Sequence, residues 1–284
     1  MMATKRRPTL RAVRLGQELR RLREEADFSV RSIGADLGID PGNVSKMESG
    51  KLPATIRDVD NYLRVCNVHD PKRRDDLHKI CRDVTQKGWW EGYIEDIAGV
   101  LMDRIWLESK TEAIDAFAAI LIPGLLQVPG YAEGLMRLDR PEATDDEIQR
   151  WIEVRTTRQH ILTTHDPVQY SVVIDEAVLK RPAGGVEAMD RQLDYLVQMS
   201  ERPNIEIRIL PFSVGMHASL TGGFEILRLE DPYPEACLLT VPGGDVCVEG
   251  DMVDTLAQTY DRVLKASLGP EASRELIIAE RNSL

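Results

Sequence analysis

Long hydrophobic runs are missing: no stretch of 18 apolar residues occurs, so no membrane-spanning helix is expected. The basic start, MMATKRRPTLRAV, has no apolar core behind it and does not read as a secretory signal. Cysteine is scarce. The four present, Cys66, Cys81, Cys237 and Cys247, form no CxxC pair and no metal-ligand spacing. They read as reduced thiols of a cytoplasmic protein, and a Cys237–Cys247 bridge across a hairpin is the weaker alternative. A Walker pattern, GxGxxG and HExxH are all absent, so catalysis, a cofactor and a metal have no positive support. Asp175 and Glu176 are adjacent and suit a helix N-terminus better than acid–base work. His160 and His165 lie near Asp166 without an accompanying nucleophile motif.

What is present is unevenly distributed. The net charge of −11 alone argues against nucleic acid as a partner. Residues 1–87, however, carry 19 lysines and arginines against 13 aspartates and glutamates, while residues 88–284 carry 17 against 34. A basic head and a strongly acidic body suggest a phosphate-facing segment attached to one that phosphate repels.

The head has helical periodicity throughout. In LGQELRRLREEADFS, Leu15, Leu19 and Leu22 share a face, with Arg20, Arg21 and Arg23 largely off it. Ser29 suits the N-cap of a short helix striped by Val30, Ile33 and Leu37, and Gly38 suits its stop. Asp40 can cap the next helix, Pro41 fits its first position and Gly50 its end. Val44 and Met47 face inward there, which leaves Gly42, Asn43, Ser45 and Lys46 outward. Two short helices joined by a tight turn, the second with a small, polar, cationic outer face, meet the needs of a helix-turn-helix entering the major groove. Thr55 and Asp70-Pro71 open two more helices, one with Ile56, Val59, Leu63 and Cys66 on a face, the other with Leu77, Ile80, Cys81 and Val84. The expectation is an all-helical domain over 1–87.

LGQELRRLREEADFSVRSIGADLGIDPGNVSKMESGKLP resembles the Xre/phage-repressor helix-turn-helix family, above all in VSKMESGKLP. Many members carry glutamine early in the first motif helix, where it touches phosphate; here Val30-Arg31 stands there, and Arg31 can take over that backbone contact. By chemistry Asn43 can bind adenine in bidentate fashion and Lys46 can donate to guanine O6 and N7. Arg31, Ser45 and Lys51 suit phosphate, and Gly42 permits close approach. Glu48 is expected to be structural, pairing with an arginine of the first helix such as Arg20 or Arg21. Lys5-Arg6-Arg7, with Arg11 and Arg14, fits either a minor-groove arm or a solvated tail.

Three of the four tryptophans, Trp89, Trp90 and Trp106, lie close together in sequence, which favours core packing over a ligand cage. Helical stretches are expected up to residue 164. Ile114, Phe117, Ala118 and Leu121 form one stripe, and Tyr131, Leu135 and Leu138 begin another after IPGLLQVPGY. Thr144 and Glu147 fit a capping box. Strands are expected at 168–174, NIEIRIL, FEILRL, ACLLTV and DVCV, with a turn at Gly243-Gly244. Val186, Met189, Leu193 and Leu196 line one helix; Val253, Leu256, Tyr260, Val263 and Leu264 line a closing one. The expectation for 88–284 is an α+β domain with a largely antiparallel sheet, whose loop around His217 can border a ligand or partner site.

The segments IPGLLQVPGYAEGL, RQHIL, VIDEAVLKRP, LPFSVGMH and GGFEIL are similar to a WhiJ-like bacterial regulator family, in which an Xre head precedes a domain of unassigned function. The two resemblances imply a homodimeric regulator, repression favoured, on a double-stranded operator with an inverted repeat. The second implies a small partner protein and an antitoxin-like task. A ligand-gated sensor around Trp89–Trp106 or His217 is a third possibility.

Overall fold

The computed structural model describes residues 8–93, 97, 99–242 and 244–284. Lys5, Arg6, Arg7 and Gly243 lie outside the described residues. Two compact units divide the chain, Met1–Glu91 and Gly92–Leu284.

Among the described residues the first unit holds five α-helices: α1 (Leu10–Glu25), α2 (Val30–Leu37), α3 (Pro41–Glu48), α4 (Ile56–Val65) and α5 (Pro71–Thr85). Their boundaries follow local chemistry. The Thr9, Ser29, Asp40, Thr55 and Asp70 side chains each accept a backbone N–H of the helix they precede. At Thr55 the cap is reciprocal, because the Asp58 carboxylate accepts the Thr55 N–H at 2.8 Å. Leu15, Leu19, Leu22, Ile33, Val44, Val59, Tyr62 and Leu63 form a closed core. Ile56 stays exposed at the mouth of α4 rather than joining its apolar face.

The second unit is built on a six-stranded sheet. Its elements are α6 (Gly99–Glu108), β1 (Thr111–Ala118), α7 (Pro129–Asp139), α8 (Asp145–Gln159), β2 (Gln169–Asp175), α9 (Glu176–Leu179), α10 (Val186–Met199), β3 (Ile205–Leu210), β4 (Phe224–Leu229), β5 (Ala236–Val241), β6 (Gly244–Val248), α11 (Asp251–Ala266) and α12 (Pro270–Asn282). The strand order is β3-β2-β1-β4-β5-β6. β1 and β2 pair in parallel, as do β2 and β3; the other three pairings are antiparallel. The sheet is therefore mixed, not largely antiparallel, because helical crossovers join its first three strands.

Residues 111–118 correct the expected helix. Ile114, Phe117, Ala118 and Leu121 match a helical stripe by spacing, yet Ile114, Ala116 and Ala118 enter one core and Phe117 the core on the opposite face. A central strand buried on both sides loses its polar alternation, so period alone misleads. Leu121 is exposed. The first core gathers β1, β2 and β3 against α7, α9, α10 and α12; the second gathers Phe117, Val173, Phe224 and Ile226 against Val253, Tyr260 and Val263 of α11. Leu138 and Val186, expected on apolar faces, are exposed instead. α12 follows the helix expected to close the chain: Ser273 and Ile277 are fully buried, and Ser273 Oγ accepts the Ile209 N–H at 2.9 Å.

The IPGLLQVPGY segment leaves backbone groups inside, and glutamines satisfy them. Gln192 accepts the Val128 N–H at 2.8 Å and donates to Leu126 O at 2.6 Å, while Gln159 donates to the Gly124 and Gln127 carbonyls. Nearby, Arg104 reaches Glu108, Glu225 and Asp245, and Arg158 closes on Glu108 with two hydrogen bonds of 2.9 and 2.6 Å. This buried charge network ties α6, α8, β4 and β6.

Candidate nucleic-acid interface

The geometry of α3 starts with the turn before it. Gly38 adopts φ +67°, the left-handed conformation that ends α2 in one residue, and its N–H bonds the Ala35 carbonyl. Asp40 Oδ1 then accepts the Gly42 N–H at 2.8 Å, and Pro41 fills the first helical position. Val44 and Met47 point into the core, and Glu48 is buried beside them. Gly42, Ser45 and Lys46 stand on the outer side, exposed, with Asn43 half-buried at the edge of that face. Lys46 Nζ lies 3.4 Å from Asn43 Oδ1. A Cβ on residue 42 would meet Asp40 Oδ1 at 2.9 Å, so glycine there also protects the cap.

Two further features hold α3 in place. Gly16 of α1 allows contact with its last turn: a Cβ there would sit 2.6 Å from the carbonyl oxygens of Met47 and Glu48. The Glu48 carboxylate accepts Arg23 Nε at 2.7 Å and Nη2 at 2.9 Å, and the Tyr62 hydroxyl donates to it at 3.3 Å. Arg23 also donates to Phe28 O, which fixes the chain leaving α1. Its guanidinium is held above the usual arginine range, chiefly by the hydrogen bond to Glu48. Burial beside Glu48 likewise pushes the Tyr62 phenol up.

Glu48 thus pairs with an arginine of the first helix, as expected, but the arginine is Arg23 rather than Arg20 or Arg21. Arg20 and Arg21 stay on the surface and pair with Glu24 and Glu18. Arg23 is close enough to the apolar face of α1 to be buried, and a guanidinium can make that position work only with a carboxylate opposite. Arg11 and Arg14 are corrected too. Both lie in α1 and are buried, and Arg11 donates to the Asp83 and Gln86 carbonyls at the end of α5, so neither fits a groove-reaching arm or a solvated tail.

Arg31 is exposed in the first turn of α2, and Lys51 is exposed just past α3. Sequence reasoning missed Ser49, which extends the outer face of α3 and is exposed; its spacing of three and four from Lys46 and Ser45 was the available signal.

Each aromatic candidate has its own surroundings within its unit. Trp90 is buried and Trp89 exposed, with their rings edge to face at 6.1 Å. Trp106 is buried edge to face against Tyr233 at 5.2 Å. His217 is half-buried over Phe117 at 5.1 Å; its Nδ1 accepts the Ser219 N–H, and its Nε2 lies 3.9 Å from the Asp175 carboxylate. Elsewhere in the second unit, a cavity of about 470 Å³ opens beside β1, β2 and β3, lined by Asp115, Ser171, Glu206, Arg228, Glu201 and Arg274. Burial raises the Asp115 carboxyl despite its ion pair with Arg228. Among the described residues no His, Cys, Asp and Glu side chains gather as a metal site, and no helix is long and apolar enough to cross a membrane.

Two family models match. Residues 14–77 match one described as a helix-turn-helix domain, and residues 101–279 match one described as a domain of unknown function, DUF5753. No curated protein and no solved structure matches the chain.

Proposed function

The chain belongs to the DUF5753 family, and for this member, with its N-terminal helix-turn-helix domain, we propose a sequence-specific DNA-binding transcriptional regulator that acts as a repressor. One observation carries the reading. The outer side of α3 is small, polar and cationic at Gly42, Asn43, Ser45 and Lys46, while its inner side is pinned by Val44, Met47 and Glu48. A helix fixed that firmly to its scaffold presents base-reading groups with little rearrangement on binding.

In this proposal residues 1–87 are the reading head and residues 88–284 the domain that controls it. Asn43 reads adenine and Lys46 guanine; Arg31, Ser45 and Lys51 hold phosphates; Gly42 lets the helix approach. The regulator is a homodimer on an inverted repeat whose half-site centres lie ~34 Å apart, or a multiple of that. It works in the cytoplasm, on the nucleoid when bound. A small partner protein recognised by residues 88–284 in an antitoxin-like manner is compatible with this role.

Fluorescence anisotropy on DNA from the gene's own upstream region, backed by selection from random DNA, tests the proposal. Saturable, salt-sensitive binding with clear preference over scrambled DNA, lost in Asn43→Ala/Lys46→Ala, is the expected result. No selected sequence from either source would overturn it.

A second reading, a ligand-gated sensor, is favoured by the ~470 Å³ cavity, a volume suited to a small molecule. The residues lining the cavity include neither a tryptophan nor His217. Thermal shift with candidate metabolites tests this reading; around the cavity Asp115, Glu201 and Glu206 already pair with Arg228, Arg274 and Arg208.

A further inference from the structure

Although 29% of the chain is charged, two stretches carry no Asp, Glu, Lys or Arg at all: residues 116–132 and residues 209–224. The topology brings parts of both to one edge of the sheet. β1 ends at Ala118 and β3 at Leu210, both parallel to β2, and antiparallel β4 begins at Phe224. The carboxyl ends of two strands and the start of a third therefore share that edge. A Cβ on Gly223 would lie 2.6 Å from the Phe117 carbonyl oxygen, and the His217 ring covers Phe117. Here Met216 is 85% exposed, Leu220 74%, Ile120 62%, Phe212 54% and Leu121 47%.

Single exposed apolar side chains are ordinary; five from two charge-free stretches at one edge are not. The loop that carries three of them is already held in shape. Ser219 donates from Oγ to Gly222 O at 2.6 Å and from its N–H to His217 Nδ1, and the Phe212 N–H donates to Glu176 Oε2 at 2.8 Å. The neighbouring carboxylates are turned to local tasks: Asp175 caps the Ala177 N–H, and Glu176 takes Phe212. Little ordering is left for a partner to impose.

Charge decides which partner. Residues 88–284 carry twice as many acidic as basic side chains. Two copies repel each other across most of that surface, and this edge, whose carboxylates Asp175 and Glu176 are largely covered and engaged locally, is the face that can be laid against itself. A basic partner would be drawn to the acidic surface elsewhere. We propose that this edge is where a second copy of the chain packs, in a self-complementary two-fold contact. The inference rests on the homodimer of the preceding reading and supplies its surface.

The test is sedimentation velocity of the full chain from low to high micromolar concentration, at low and high salt. Wild type is expected to be dimeric, and tighter at high salt because screening removes the acidic repulsion; DNA binding changes with salt in the opposite sense. Met216→Asp/Leu220→Asp puts unpaired charge into the contact and should weaken dimerisation roughly a hundredfold or more. Both sites are exposed, so the thermal midpoint should hold. Leu138→Asp, an equally exposed apolar position outside these stretches, should leave the dimer intact.

A monomeric wild type, a dimer that survives the double substitution, or binding of a monomer to neutral lipid vesicles through this edge would each overturn the proposal. Anisotropy on a single half-site separates this from failure of the DNA reading. A monomeric variant that still prefers the half-site but loses its gain on the full repeat supports both. A variant that becomes monomeric, in a protein with no DNA preference, supports the surface and sinks the regulator.

Discussion

At the scale of single residues, exposure and partners separate three arginine populations that look alike in sequence. Arg31 projects into solvent, Arg20 and Arg21 make surface pairs, and Arg23 is an internal clamp on Glu48. Different losses follow. Asn43→Ala and Lys46→Ala should each cost ~1–3 kcal/mol at the cognate site and relax preference for the base contacted. Arg31→Ala should weaken all sequences alike and reduce the salt slope by about one. Selection on randomised operators measures both, and unchanged selectivity in the first pair would remove α3 as the reading helix. Glu48→Ala strands a buried guanidinium and should cost the first unit ~3–5 kcal/mol in urea unfolding; a loss below 1 kcal/mol would mean Arg23 finds water. Of these positions, those of α3 were legible from period and cap residues. That Glu48 pairs with an arginine of α1 was legible as well, but the choice of Arg23 was not, because contact across 25 positions depends on how α1 and α3 pack.

At the scale of elements, close approach and buried charge decide what spacing cannot. Gly16 sits mid-helix, where alanine has the better intrinsic propensity by ~1 kcal/mol. Gly16→Ala should nonetheless destabilise, by ~1–3 kcal/mol, because its methyl would collide with the carbonyls that end α3. A stabilised variant in chemical unfolding would show that the helices can part without loss. The network around Glu108 makes a pH prediction. Burial raises that carboxyl, but Arg158 and Arg104 outweigh it and hold it below the usual value of 4.5. Asp245 is likewise drawn below its usual 3.8: burial opposes the shift, and Arg104 overcomes it. A folded-state value below the unfolded one gives stability that is complete above the unfolded value and drains away as pH falls through the folded one. The second unit's thermal midpoint should therefore fall steeply below pH ~4.5. In Glu108→Gln the decline should be shallower and start from a lower midpoint at neutral pH; an unchanged acid profile would mean the network contributes little. β1 shows the converse of a legible element. Its residues satisfy a helical template by count, and only the presence of a core on each face makes them a strand.

At the scale of the whole molecule, charge is the organising quantity. Residues 1–87 carry an excess of basic groups and residues 88–284 a larger excess of acidic ones. Non-specific attraction to DNA depends on the sum, so the acidic portion should suppress it and leave the cognate contacts to carry binding. A chain ending at Glu91 is expected to bind scrambled DNA more tightly at low salt than the full chain does, with the gap closing as salt rises. Equal affinities at low salt would show that the acidic surface does not act on the head at all.

The sequence by itself determined the five-helix head, the N-caps of its last four helices, the turn at Gly38 and the outward set on α3, because each depends on contacts within a few residues. It also determined the later strands β3 and β4 and the Thr144 capping box, where alternation or local hydrogen bonding is explicit. Tertiary structure alone decided that residues 111–118 are a strand and that half the sheet is parallel. It also decided which arginines are internal and that two charge-free stretches, 76 residues apart from end to start, meet at one sheet edge. Those outcomes depend on which distant surfaces are buried together, and short-range spacing carries no record of that.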